Sequence, residues 1–298
     1  MPLVSLDTAV TLLRAGGLVG LPTETVYGLA ADGLDPVAVA AIYVAKGRPS
    51  NHPLILHVLG DPDAHAIADD RARALAAAFW PGPLTLVLPR RAHVPDAVTG
   101  GADTVALRAP AHPLARAVLA ALGRPLAAPS ANRFGRTSPT LAQHVLDEFP
   151  ELPVLDGGAC EVGLESTIVD LTGPRAAILR PGGIGAAAII EVIGPLDRPG
   201  ATPAPGTLPA HYAPRTPLRL VTDLAGATAR AEAAGLRVGQ LPAHAPELHA
   251  RTLYARMRVL DGTVDLLLAE PAAPGGLGDA INDRLRRAAA AHDLAPME

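Results

Sequence analysis

With 298 residues the chain exceeds the commonest single-domain size, so two domains are expected. Its 49% apolar and 18% charged residues exclude a disordered chain and supply a sizeable core. A net charge of −4 with 3% aromatics excludes a globally basic nucleic-acid binder and a surface of base-stacking platforms, so any anion site has to be a local cluster.

In chain order, the first element is a short amphipathic helix that Ser5 or Asp7 can cap and Gly16-Gly17 can end. It lacks the basic start and unbroken apolar core of a signal peptide. No stretch reaches the roughly 18 uninterrupted apolar residues that a membrane span needs. The single cysteine, Cys160, permits no intramolecular disulfide and fits a reducing compartment. Nothing around it supplies positive charge, so it reads as a small packed residue and not a reactive thiol. A soluble, cytoplasmic protein with no membrane partner is the expectation.

A strand at 18–21 runs into PTETVYG at 22–28. Asp35-Pro36 then opens a second helix as N-cap and first helical residue, and that helix delivers Lys46 just ahead of Gly47. Lys46 is the only lysine, although lysine and arginine together number 25. A compact ammonium reaches between phosphate oxygens where a planar guanidinium does not, so this one exception to arginine suggests chemistry. The plain alternative is a cation that suits a helix C-terminus. Arg48 follows, Pro49 and Pro53 stiffen the segment, and LILHV at 54–58 reads as a buried strand with His57 turned inward.

Further strands are expected at 84–88, 105–107, 125–128, 167–171 and 177–179, with helices near 70–79, 113–122 and 141–149. The link from 171 to 177 is hairpin-sized, so the sheet should be mixed. From 194 to 217 seven prolines fall within 24 residues, which marks a stiff, extended linker. Beyond it come a strand at 218–221, a helix at 224–234, strands at 236–241 and 264–269, and a last helix at 279–291. The expected division is therefore 1–194, a linker at 195–217, and a small α/β domain at 218–298. Glycines at 275, 276 and 278 mark the turn into the last helix; a phosphate site there is the weaker reading.

Polar chemistry gathers in the first domain. Of five serines, Ser50, Ser130, Ser138 and Ser166 lie in loops or at strand ends, and Asn51 and Asn132 share those segments. APSANR at 128–133, followed by Ser138, is a strand end leading into a polar loop, where open α/β sheets place ligand contacts. Arg108 and Arg180 each end a strand and, with Arg48, could form an anion-binding rim. No paired carboxylates, Ser-His-Asp arrangement or His-x-x-x-His spacing stands out. The pattern suits binding and orienting anions, not forming a covalent intermediate.

GLPTETVYGL at 20–29, KGRPSNHPL at 46–54, PSAN at 129–132, ESTIVD at 165–170 and LRPG at 179–182 together resemble the YrdC-like threonylcarbamoyl-AMP synthase family. The text from Pro205-Gly206 to His211-Tyr212-Ala213-Pro214 is similar to its longer, two-domain branch. The resemblance implies a YrdC-like twisted mixed sheet flanked by helices, plus a smaller Rossmann-like α/β domain. The implied activity joins L-threonine, bicarbonate and ATP into L-threonylcarbamoyl-adenylate and releases pyrophosphate. A downstream transferase then carries the group to the adenosine beside the anticodon of certain tRNAs; contact with tRNA itself is not required.

By the same resemblance Lys46, Arg48, His52, Thr104, Ser130, Ser138 and Arg180 match nucleotide-contacting positions, with Lys46 and Arg48 as the catalytic pair. Asn132 in the PSAN loop and Tyr212 in the linker join the ATP-binding set. Thr25, His57, Arg108, the backbone at Ala128 and Ser166 match threonine-contacting positions. His52 departs from the pattern, standing where a lysine or amide is expected. Mg²⁺ would arrive with the ATP phosphates, with no protein cage and no tightly bound organic cofactor. Two other readings compete: an RNA-binding module with a basic concave face, and a carbamoyl transferase of the hydrogenase-maturation type. The acylphosphatase and zinc-finger regions of the latter have no counterpart in these residues. The linker's His211 and Tyr212 suggest that 206–214 folds over the cleft as a lid.

Overall fold

The computed structural model describes residues 2–198, 200, 202 and 204–292, so residues 1, 199, 201, 203 and 293–298 of the expected domains and linker lie outside the described residues. Local chemistry sets the first elements. Ser5 Oγ accepts from the Thr8 amide and starts α1 (Leu6–Arg14). β1 (Val19–Leu21) and β2 (Gly28–Asp32) form an antiparallel pair. Asp35 caps α2 (Pro36–Lys46), and Gly47, at φ +64°, ends it in the left-handed conformation that glycine adopts without strain. That stop leaves Lys46 in the last turn, buried.

Then follow β3 (Ile55–His57), α3 (Asp70–Phe79), β4 (Leu84–Pro89), α4 (Asp96–Thr99), β5 (Thr104–Arg108), α5 (Pro113–Leu122), β6 (Leu126–Ala127), α6 (Ala142–Glu148), β7 (Thr167–Asp170), β8 (Ala177–Arg180) and α7 (Ala186–Ile193). The eight strands form one mixed sheet in the order β1-β2-β6-β3-β5-β4-β7-β8. Strand β2, which was not expected, begins at the last residue of PTETVYG. Glycine and alanines hid it; it is a strand because both neighbours, β1 and β6, pair with it.

The sheet's two faces differ. On one, Leu29, Leu56, Leu86, Leu107 and Val169 pack under helices in the largest apolar cluster, which also encloses Cys160. Burial pushes that thiol up to about 12, in keeping with a packed, inert residue. On the other face α1 and α5 cover the β1-β2-β6 end, while Ile55, Val87, Ala106, Ile168 and Leu179 share a small cluster with Ala204 of the linker and no helix. The site lies on this thinly covered face.

The second domain is a three-stranded parallel sheet in the order β10-β11-β9, from β9 (Leu218–Leu220), β10 (Val238–Leu241) and β11 (Leu266–Ala269). Helix α8 (Leu224–Ala233) covers one face; α9 (Pro246–Leu260) and α10 (Leu277–Ala290) cover the other. Helix α9 was not expected, because its four charged residues obscure the apolar stripe of Ala250, Leu253, Tyr254 and Met257. The two domains share a core: Val26 and Leu164 of the first cluster with Tyr212, Leu253 and Tyr254. At Gly163 a Cβ would sit 2.5 Å from Arg251 Cα, so only glycine permits this approach of α9.

Candidate active site

The ends of β3, β5 and β8 bring His57, Arg108 and Arg180 to one cleft on the thinly covered face, which Thr25, Ala128, Ser130 and Ser166 also line. At one end Arg108 pairs with Glu24 at 2.6 Å and donates to Thr25 Oγ1 at 2.7 Å and to the Gly82 carbonyl at 3.2 Å. A guanidinium has five N–H donors, so this arginine is neutralised yet keeps donors for a ligand. Burial alone would raise the Glu24 carboxyl, but the Arg108 charge and hydrogen bond hold it below the usual carboxylate value. Beside the pair, His57 is buried with Nδ1 unpartnered among the described residues. Burial, reinforced by Arg108, pushes its pKa down to about 3, so it is neutral at physiological pH.

The other end is cationic. Lys46 Nζ donates to the carbonyls of Ser130 and Asn132, each at 2.5 Å, and burial followed by Arg48 lowers its pKa well below the ordinary value. Arg48 donates to the Pro53 carbonyl at 2.9 Å and lies 5.5 Å over the Phe134 ring. Burial lowers its pKa to about 10. Arg180 donates to the Ser166 carbonyl and hydroxyl and to the Pro205 carbonyl. Among the described residues none of these three cations has a carboxylate within 4 Å.

The linker closes this end. Gly206, His211 and Tyr212 line the cleft, with the Tyr212 hydroxyl 3.4 Å from Arg180 Nη1. Tyr212 has φ +63°, a left-handed conformation unusual for a bulky side chain. Its neighbours fix it there: Ala213 N donates to the Gly135 carbonyl, and Thr137 Oγ1 donates to the Tyr212 carbonyl. The remaining cavity is about 50 Å³.

Not every expected residue lines the cleft: Lys46, 3% exposed, is held behind it by the Ser130 and Asn132 carbonyls. Thr104 lies at the far end of β5 from Arg108, opposite Pro89, roughly 13 Å away at the rise of a strand. Asn132 spends its side-chain amide on the carbonyls of Arg133 and Arg136, and Ser138 Oγ donates to Glu165 at 2.5 Å. His52 lies in an adjoining hollow with Arg48, Phe134 and His211. Reading the sequence gave no role to Glu24, Glu165, Thr85, Tyr254 or Arg284. Glu24 and Glu165 stand inside the PTETVYG and ESTIVD runs, which was the available signal; Thr85, 2.7 Å from Ser166 Oγ, carried none.

Residues 11–182 match a family model described as telomere recombination, and residues 184–290 match one described as threonylcarbamoyl-AMP synthase, C-terminal domain. The threonylcarbamoyl-AMP synthase of Pyrococcus abyssi is 40% identical, over 94% of this chain and 92% of its own. That of Bacillus subtilis is 38% identical over the same shares. The crystal structure of P. abyssi Sua5 complexed with L-threonine superposes with a TM-score of 0.89 at 39% identity, covering 96% of this chain and 94% of the other.

Proposed function

The chain belongs to the threonylcarbamoyl-AMP synthase family, and on that premise we propose how its cleft makes L-threonylcarbamoyl-adenylate from L-threonine, bicarbonate and ATP. The observation that carries the reading is the contrast between the two ends: one neutralised arginine beside neutral His57, and Arg48 and Arg180, with Lys46 behind them, without a carboxylate partner among the described residues. A zwitterionic amino acid suits the first and a polyanionic nucleotide the second.

At the first end, the free donors of Arg108 hold the threonine carboxylate, with Thr25, Ser166 and the Ala128 backbone around the rest of the molecule. The threonine ammonium gives up a proton to solvent, the free amine attacks bicarbonate, water leaves, and the resulting carbamate oxygen attacks the α-phosphorus of ATP as pyrophosphate departs. Negative charge then accumulates on phosphate oxygens, where Lys46, Arg48 and Arg180 stabilise it. Catalysis is positioning and neutralisation, and no covalent enzyme intermediate is needed. Magnesium enters as part of the Mg–ATP substrate.

The linker is the lid of this site. Gly206, His211 and Tyr212 line the cleft, and Pro205 and Tyr212 occupy donors of Arg180 that the ATP phosphates need. ATP entry therefore lifts 205–212 away, and reclosure shields the hydrolysable adenylate from water. The product serves threonylcarbamoylation of tRNA by a downstream transferase. The test is incubation with ATP, bicarbonate and single amino acids, with pyrophosphate measured and the adenylate weighed. Threonine-dependent pyrophosphate with an adenylate of matching mass is expected; pyrophosphate release indifferent to the amino acid overturns the reading.

A further inference from the structure

Glu165 is a buried carboxylate at the wall of the cleft, 6% exposed, whose partners come mostly from the second domain. Ser138 Oγ donates to it at 2.5 Å, Tyr254 from α9 at 3.0 Å, and Arg284 Nε from α10 at 2.7 Å. Arg284 is 0% exposed; its other groups reach Asp283 at 2.6 Å and the Pro181 carbonyl at 3.0 Å, and its guanidinium lies 4.9 Å over the Tyr212 ring. Among the described residues of 1–194 only Ser138 donates a side-chain hydrogen bond to Glu165. The first-domain cation whose charge acts on this carboxylate is Arg180, which donates to the Ser166 and Pro205 carbonyls, has no carboxylate partner among the described residues and lines the cleft.

A buried carboxylate stripped of its cation does not stay bare; it takes up a proton, or draws in water or the next cation. We propose that Arg284 is a positioning residue for the nucleotide end: by neutralising Glu165 from the second domain, it leaves Arg180 free to meet the ATP phosphates. The second domain thus supplies a counter-charge to the active site of the first, and the site is electrostatically complete only when α10 is docked. This rests on the synthase reading above, because it assigns Arg180 to the phosphates. The threonine end should be indifferent, since the Glu24–Arg108 pair lies wholly within the first domain.

The experiment is steady-state pyrophosphate release by the full chain, varying ATP and threonine separately, for wild type, Arg284→Met, Arg284→Lys and Glu165→Gln/Arg284→Met, each confirmed folded by its melting curve. Arg284→Met is expected to raise the ATP KM on the order of 10-fold and the threonine KM by less than about 2-fold. Lysine should restore most of the loss by returning the charge. The double variant, which has no carboxylate left to attract Arg180, should return the ATP KM to within about 3-fold of wild type. A purely structural role would lower the melting temperature without separating the two substrates, and that result overturns the proposal. So does a double variant whose ATP KM stays as high as that of Arg284→Met. If Arg284→Met does not fold, Tyr254→Phe, which deletes one donor to Glu165, should raise the ATP KM about 2- to 3-fold with threonine unaffected; no change overturns the proposal. Wild type lacking threonine-dependent release fails the synthase reading instead, so the two failures are distinguishable.

Discussion

Two buried carboxylate–arginine pairs frame the cleft, Glu24–Arg108 at 2.6 Å and Glu165–Arg284 at 2.7 Å, and in both the arginine holds the carboxyl below its usual value against the pull of burial. They differ in where the partners come from. The first pair is internal to the catalytic domain, joining the β1–β2 connection to the end of β5. The second crosses the domain boundary, reaching from the start of β7 to α10. One end of the site is therefore complete once the first domain folds, whereas the other depends on two later parts of the chain, the linker and α10. On the proposed reading the comparison also separates the ligands: a permanent neutral clamp for an amino acid, and cations without carboxylate partners among the described residues for a polyanion that comes and goes.

The largest effect should come from breaking the internal pair. Arg108→Ala removes the carboxylate clamp and strands Glu24, so kcat/KM for threonine should fall on the order of 10³ and stability by about 3–5 kcal/mol. Denaturant melts and substrate titrations check both. An equal rise in the ATP and threonine requirements would dissolve the distinction between the two ends. Next is Lys46→Ala, expected to lower turnover by on the order of 10²–10³ as one charge-stabilising donor is lost. Because Nζ also satisfies the Ser130 and Asn132 carbonyls, a stability loss of about 1–3 kcal/mol should accompany it. Near-normal pyrophosphate release would remove Lys46 from the chemistry.

The same division explains what the sequence could reveal. Helix α2 was legible from end to end, since Asp35, Pro36 and Gly47 act on their immediate neighbours. The arginines that close β5 and β8 were visible as cations after apolar runs. Their carboxylate environment was not: Arg108 meets Glu24 across 84 positions and Arg284 meets Glu165 across 119, separations that only the folded chain brings together. Arg284 is the harder case, because Arg286 and Arg287 stand beside it in α10 and Arg286 points to solvent; nothing local marks which arginine is buried. Strand β2 and helix α9 were missed for a related reason, their identity being settled by what packs against them and not by their own composition.

The lid offers a smaller effect. At Gly206, φ is +72°, and a Cβ would stand 1.9 Å from the Tyr212 hydroxyl and 2.9 Å from Arg180 Nη1. Gly206→Ala should hold the linker partly open, letting the adenylate escape faster and lowering retained product about 10-fold while threonine binding is unchanged. Product retained as well as by wild type would make the linker a passive tether.

The finest comparison uses two histidines, one at each end. His57 and His211 are both pushed down to about 3, chiefly by burial. An unfolded histidine titrates near its ordinary value, so between about pH 6.5 and 3 the unfolded chain binds more protons and stability falls as the pH drops. Glu165, held at about 2 despite its burial, adds its own loss only below the ordinary carboxylate value of 4.5, so the range from about pH 6.5 to 4.5 belongs to these histidines together with His144 and His249, which burial pushes down to about 4. Denaturant melts at pH 7 and 5 should show His57→Gln removing on the order of 1–2 kcal/mol of the acid loss. His211 has a second route: the linker can lift and let it protonate while both domains stay folded, so its penalty cannot exceed the free energy of opening. His211→Gln should therefore remove less of the acid loss than His57→Gln does. Equal contributions would put the cost of lifting the linker above the roughly 2 kcal/mol of proton linkage at stake.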